Sequence, residues 1–206
     1  MAKVAAAIAA AVIGMTLGVG VVVILGDDRV PPETAVPVSL ETSAPPDGGG
    51  SEQPSAGARE RVAEPVRVVI PAIDVDADLV ALGLNDDQSM EVPNFGLAGW
   101  YEPGPRPGEA GPAVIAAHVD SVDGPDVFFR LSELAKGDEV AVKLADGATE
   151  RFVVTRSEQQ LKDELPVDRI WNDTDEVVLR LVTCGGEFDP AERSYTSNVI
   201  VYAKAA

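Results

Sequence analysis

From Pro65 to Ala206 the chain never sustains an apolar run of ordinary helix length. Its apolar segments are short, β-branched and cut by Gly or Pro. "VRVVI" (66–70) stops at Pro71. "AVIAAHV" (113–119) follows the turn-rich "EPGPRPGEAGP". "DEVAVKLADG" (138–147) alternates apolar and polar residues, meets an Asp-Gly turn, and is answered by the alternating "ATERFVVTRSEQ" (148–159). That pattern predicts a hairpin over 138–159. "EVVLRLVTC" (176–184) is the strongest strand pattern, and "NVIVYAK" (198–204) the last. Only "DVFFRLSELAKGD" (126–138) suggests a helical turn or two. Short strands separated by Gly/Pro turns predict a mainly β domain, an antiparallel sandwich or a small barrel. The sequence shows no internal repeat.

Two segments of different character precede this block. Residues 4–26, "VAAAIAAAVIGMTLGVGVVVILG", hold no charge, and Thr16 is their only hydroxyl. As a helix this run is roughly 34 Å long, enough to cross a hydrocarbon core. Lys3 precedes it, and Asp27 and Asp28 follow. The positive flank predicts a cytoplasmic N-terminus with the remainder outside the cell membrane. A cleaved signal peptide has a shorter apolar core and a small-residue cleavage site, and "ILGDDRVPP" is a poor one. A buried core helix would keep a polar face, which this run lacks. We therefore expect an anchor over 1–26, preferred over a cleaved signal. Residues 27–64 are rich in Pro, Gly, Ser, Thr and Glu and carry no aromatic residue. Such a stretch buries too little apolar area to offset its ordering entropy, which predicts a flexible linker ahead of a domain over 65–206.

Charge and composition exclude several functions. The formal net charge is −18. Nucleic acids and anionic lipid surfaces require clustered Lys and Arg, so neither is an expected partner. The chain has one Cys and one His. An internal disulfide is impossible, and the usual zinc ligand sets cannot be assembled. No calcium-loop spacing is present either, so no metal or other cofactor is expected.

The unique Cys and the unique His carry the chemistry. Cys184 ends the apolar run in "VVLRLVTCGGEFDP" and is followed by Gly185 and Gly186. Free cysteines are often buried fillers. A strand-terminal thiol beside two glycines, however, sits where another backbone can approach. His118 ends "AVIAAH" and leads into the loop-like "VDSVDGP". A thiol becomes a nucleophile when a base or cation lies near, and His is the usual partner. Filler and nucleophile both remain open at this level. Acyl transfer also needs a donor for the oxyanion. Arg193 lies in "FDPAERSYTSN", between the Cys strand and the last strand. Arg180 stands four residues before Cys184, on the same strand face, where pairing with a neighbouring carboxylate is the expected role.

Together, "AVIAAHVDS…GPDVFFRLSELAKGDEV" and "LRLVTCGGEFDPAERSYTSNVIVYA" resemble the sortase family, nearest the class F type of actinobacteria. The resemblance covers roughly residues 65–206, and an anchor and Pro-rich stalk ahead of the domain agree with it. It implies a closed eight-stranded β-barrel with short helices and the activity of a cysteine transpeptidase. Such enzymes cleave a sorting motif in a surface protein, hold the acyl fragment as a thioester, and pass it to an amine of the cell envelope. By position, Cys184 would be the nucleophile and His118 the general acid/base. Thr183 would lie in the substrate site beside Cys184. An Arg following the Cys would steady the oxyanion. Two departures stand out. Ala117 occupies a position often held by Gly. The last strand has Ser197 and Asn198 where the Arg is commonly placed, leaving Arg193 as candidate and Asn198 as an alternative amide donor. The competing expectation is a non-catalytic or hydrolysis-only surface module on the same fold. Papain-like peptidases place Cys before His, and the Ser-His-Gly-Cys run of L,D-transpeptidases is absent.

Overall fold

The computed structural model describes residues 61–206. The anchor expected over 1–26 and nearly all of the linker expected over 27–64 lie outside the described residues. Among the described residues no helix is long and apolar enough to cross a membrane.

Ten strands and one short helix follow in chain order: β1 (Pro65–Ile70), β2 (Val75–Leu82), β3 (Ala98–Tyr101), β4 (Gly111–Ala117), β5 (Asp120–Ser121), β6 (Gly124–Pro125), β7 (Glu139–Leu144), β8 (Thr149–Leu161), α1 (Val167–Ile170), β9 (Val177–Asp189) and β10 (Ser194–Ala205). Eight of them close a barrel in the order β1-β2-β3-β4-β9-β10-β8-β7, and β5 pairs only with β6. The predicted hairpin over 138–159 is β7–β8, with Val142 opposite Glu150. Only single 3-10 turns and α1 interrupt the strands, and the segment 126–138 contributes one such turn, Leu131–Glu133.

The barrel is not wholly antiparallel, as the strand pattern alone suggested. β2 pairs with β3 in parallel, and β4 pairs with β9 in parallel. Both pairs are joined by long connections rather than tight turns, which is what a parallel neighbour requires. β2 also went unread in the sequence, because Asp76 and Asp78 are poor strand formers. They are accommodated on the exposed face by Arg67 of β1, at 2.6 Å from Asp76 and 2.5 Å from Asp78. The alternate residues Val75, Ala77 and Leu79 point into the barrel.

Inside the barrel Val68, Ile115, Phe128, Val140, Phe152, Leu179, Leu181 and Val201 are sealed from solvent. Each such side chain contributes about 1.5–3 kcal/mol through burial. A one-residue slip would reverse the facing of a whole strand, so this core fixes register. A second apolar layer covers the outer face of β4, β9 and β10. Val114, Val182, Ile200 and Tyr202 pack there with Tyr101 and with Ile170 of α1, and Trp171 meets Tyr101 edge-on. Burial on both faces explains why these strands read as nearly continuous apolar runs. The barrel is also tied to the residues just before β1. Arg106 Nη1 donates to Val62 O at 2.6 Å, and Ala145 N to Glu64 O at 2.8 Å.

Candidate active site

The parallel β4–β9 ladder decides where the unique His and Cys lie. Ala116 pairs with Val182. Extended beyond its last pair, that register would bring Ala117 level with Thr183 and His118 level with Cys184. The first step is directly visible: the Thr183 hydroxyl donates to Ala117 O at 2.8 Å. His118 and Cys184 therefore leave the ladder on neighbouring strands, which in any sheet are spaced about 4.8 Å apart.

Cys184 does not end its strand, contrary to expectation. β9 runs on through Gly185 and Gly186 to Asp189, paired with β10. β4 stops at Ala117, so Cys184 stands where β9 and β10 outrun the barrel as an extended hairpin. The glycines serve this crossing. A Cβ on Gly185 would lie 2.8 Å from Val199 Cγ2. Gly186 has φ +80 beside a register shift, and a Cβ there would lie 2.6 Å from Ser197 Oγ.

Alternation along β9 separates Thr183 from Cys184. Thr183 is buried, and its hydroxyl is used within the barrel wall, where it bridges the two strand ends. Cys184 is half-buried on the opposite, outer face, in Cα register with Asn198 of β10, which in turn pairs with Gln160 of β8. Asn198 is almost fully buried, and among the described residues no protein group is hydrogen-bonded to its side-chain amide.

His118 is gripped from three sides. Its Nε2 lies 2.9 Å from Pro93 O, and a carbonyl only accepts, so Nε2 carries the proton. The Phe95 ring lies 4.4 Å away, tilted by 39°. Phe128 N donates to His118 O at 2.9 Å, which fastens the backbone. Gly96, next to Phe95, donates its N–H to Asp126 Oδ1 at 3.0 Å, so the loop carrying Pro93 and Phe95 is itself anchored. Among the described residues Nδ1 has no hydrogen-bond partner.

The electrostatics around the thiol come from three further groups. Burial pushes the Cys184 thiol up from its ordinary value; Lys162 pulls it down, and Asp120 pushes it up again. The Tyr195 hydroxyl donates to Asp120 Oδ2, joining the loop after His118 to the β9–β10 hairpin. That bond, together with burial and the Asp120 charge, moves Tyr195 up to about 12. Lys162 Nζ is held at 2.7 Å by Ser194 Oγ.

The two arginines stand in different surroundings. Arg193 is exposed in the turn that closes the β9–β10 hairpin, with φ 51. Its neighbour Ser194 is in register with Asp189, five positions along β9 from Cys184, with a register shift and the positive-φ Gly186 between them. Arg180 lies on the same face as Cys184 but has no carboxylate partner among the described residues. Its guanidinium donates to Leu179 O at 3.1 Å and Asn172 Oδ1 at 3.0 Å, and sits 4.8 Å over the Tyr202 ring. Burial lowers its affinity for the proton. The aromatic face and two carbonyl-type acceptors replace the expected ion pair.

Sequence reasoning missed Asp120, Tyr195, Lys162 and the Pro93–Phe95 loop. Asp120 and Tyr195 stand within stretches already singled out around His118 and Arg193. Nothing in the local pattern distinguishes Lys162. Among the described residues no group of three or more His, Cys, Asp or Glu converges as a metal would require.

Residues 68–206 match the family model described as a sortase domain. The chain belongs to the sortase family. Its relatives are cysteine transpeptidases, and the solved structures it is similar to carry the same barrel. One is the Streptococcus agalactiae sortase C1 in complex with MTSET, at 21% identity and TM-score 0.53, covering 68% of each chain. Sortase A from Corynebacterium diphtheriae is 16% identical with TM-score 0.54, covering 72% of this chain and 63% of that one. Sortase C-1 from Actinomyces oris is 19% identical with TM-score 0.53, covering 69% of this chain and 75% of the other. No curated protein sequence matches the chain. At these identities the structural likeness establishes the shared fold alone.

Proposed function

We propose that this sortase-family protein is a membrane-anchored extracellular transpeptidase that works through a thioester on Cys184, nearest class F within the family. The observation that carries this reading is the parallel β4–β9 pairing with its Thr183–Ala117 bond, since His118 and Cys184 are the next residues along those two strands. The apolar run over 4–26, with Lys3 before it, supports the anchor and a cytoplasmic N-terminus.

In this reading the Cys184 thiolate attacks the carbonyl carbon of a peptide bond in a sorting motif. Negative charge gathers on the carbonyl oxygen, and the Asn198 amide, in register with Cys184, donates to it. The C–N bond then breaks, and protonated His118 gives the Nδ1 proton to the leaving amine. Pro93 O favours this role, because it accepts from Nε2–H and so fixes the ring with Nδ1 free for the transferred proton. An amine of the cell envelope next attacks the thioester carbon and gives its proton to His118. The C–S bond breaks, and the thiolate returns. Water in place of the amine gives hydrolysis by the same steps.

Transfer between a Leu-Pro-x-Thr-Gly-type peptide library and a small amine, followed by chromatography, tests the assignment. Cys184→Ala and His118→Ala are expected to lose all product. Product formation by Cys184→Ala would refute the thioester route. The rival reading, a non-catalytic module, draws on Ser197 and Asn198 standing in the last strand where an Arg is common, and an inactive wild type with an inert thiol would favour it.

A further inference from the structure

The His118 ring is held by atoms outside its own strand. Its Nε2–H rests on Pro93 O at 2.9 Å, and Phe95 lies against the ring. Pro93 is buried, but Phe95 is 56% exposed, so burial alone does not keep Phe95 on the imidazole. The turn that carries it must be fixed by other means. That turn spans Asn94 to Leu97, closed by Leu97 N–H donating to Asn94 O at 3.2 Å, with Gly96 at φ +78. A positive φ at the third turn residue is a type II feature and suits Gly. The peptide joining Phe95 to Gly96 is the middle of this turn, and its N–H is not used within it. Asp126 takes that N–H, with Oδ1 at 3.0 Å and Oδ2 at 3.3 Å. Val127 N–H donates to the same Oδ1 at 2.6 Å, which sets the direction of the carboxylate. Asp126 also fastens the chain just after the histidine. Its own N–H donates to Val119 O at 3.0 Å, and Phe128 N–H donates to His118 O at 2.9 Å. Among the described residues no cation lies within ion-pair distance of Asp126, so its carboxylate serves backbone N–H groups.

We propose that Asp126 is a positioning residue for His118: its carboxylate clamps the Phe95–Gly96 peptide to the loop after β4, so that Pro93 O and the Phe95 ring stay on the imidazole with Nδ1 free. This rests on the reading of His118 as the general acid/base. Asp126 touches no reacting atom, and its effect reaches the reaction only through the orientation of the ring. Without the clamp the exposed turn can swing away and take Pro93 O from Nε2–H. The imidazole then turns about its own bonds, and a proton donor displaced by about 1 Å loses up to about a hundredfold in rate.

The test is nuclear magnetic resonance of the full-length chain with isotope-labelled histidine ring nitrogens. The chain has one histidine, so the signal reports on His118 alone. Wild type is expected to show a single Nε2–H signal, shielded from solvent exchange by Pro93 O. Asp126→Ala is expected to lose that signal to exchange at a temperature where the protein is still folded. Its kcat for acyl transfer is expected to fall about tenfold with KM little changed, because the ring acts on bond breaking and not on binding. Asp126→Asn keeps an acceptor oxygen for Gly96 N–H and is expected to restore both. An Asp126→Ala protein with the wild-type Nε2–H signal would overturn the proposal. If Asp126→Ala does not fold, Asp126→Ser decides: its hydroxyl still serves the adjacent Val127 N–H but is too short to span to Gly96, and a wild-type signal there would overturn the proposal. The signal needs no substrate, so its outcome stays separate from transpeptidation. A signal lost in Asp126→Ala with no acyl transfer by wild type would leave the positioning role standing and sink the enzyme reading.

Discussion

Replacing Thr183 by Val should loosen the site without touching either reactive residue. Thr183 is about 4% exposed, and its hydroxyl donates to Ala117 O across the β4–β9 seam. Val keeps the β-branched shape and the strand preference, so the change isolates the hydroxyl. The loss strips a buried carbonyl of a partner, which costs about 1–3 kcal/mol. For a domain of this size each kcal/mol lowers Tm by about 2–4 °C, so a fall of roughly 4–8 °C is expected for a mid-range loss. The same bond spaces the strand ends bearing His118 and Cys184. Misplacement of reacting groups by about 1 Å costs up to about a hundredfold in rate, and a drop in kcat of about tenfold or more is expected, with KM little changed. Thermal unfolding and single-turnover acylation measure the two effects, and Thr183→Ser should recover both. A Thr183→Val protein that melts and turns over like wild type would refute the spacer role.

Two other outcomes follow from the site and its surroundings. Tyr195 and Tyr202 are each moved up to about 12, Tyr195 first by its hydrogen bond to Asp120 and Tyr202 first by burial. A raised tyrosine contributes stability that is complete below its unfolded value near pH 10 and is lost as pH climbs toward the folded value. Phenolate absorbance should therefore lag that of denatured chain, with stability falling between about pH 10 and 12; simultaneous titration near pH 10 in the folded protein would contradict this. Gly186→Ala combines a positive φ with a 2.6 Å approach to Ser197 Oγ. It should destabilise by about 1–3 kcal/mol and disturb the hairpin beyond Cys184; urea unfolding with an unchanged midpoint would show that the crossing tolerates a side chain.

The sequence was most informative where one physical constraint dominated. β7, β8, β9 and β10 each satisfy a strand pattern through side-chain alternation or a dense β-branched run, and their core faces match it. β2 was hidden because its exposed positions are aspartates whose suitability depends on Arg67 across the ladder. The two parallel seams are likewise invisible locally, since parallel pairing is decided by long connections. His118 and Cys184 stood out as unique residues next to turn chemistry, but their adjacency depends on the β4–β9 register. The place of Arg193 in a hairpin turn was hidden for a related reason: the two glycines after Cys184 read as the end of its strand, whereas β9 runs on to Asp189. Lys162 is 22 positions from Cys184 in sequence, and only the pairing of β8 with β10 shows that it meets the hairpin through Ser194.

Intact mass spectrometry of the full-length chain, incubated with the Leu-Pro-x-Thr-Gly-type library and no amine, addresses the central claim most directly. The account predicts an acyl adduct on wild type that is absent from Cys184→Ala and released by hydroxylamine, as a thioester must be. An adduct of equal yield on Cys184→Ala, or one that resists hydroxylamine, would contradict it.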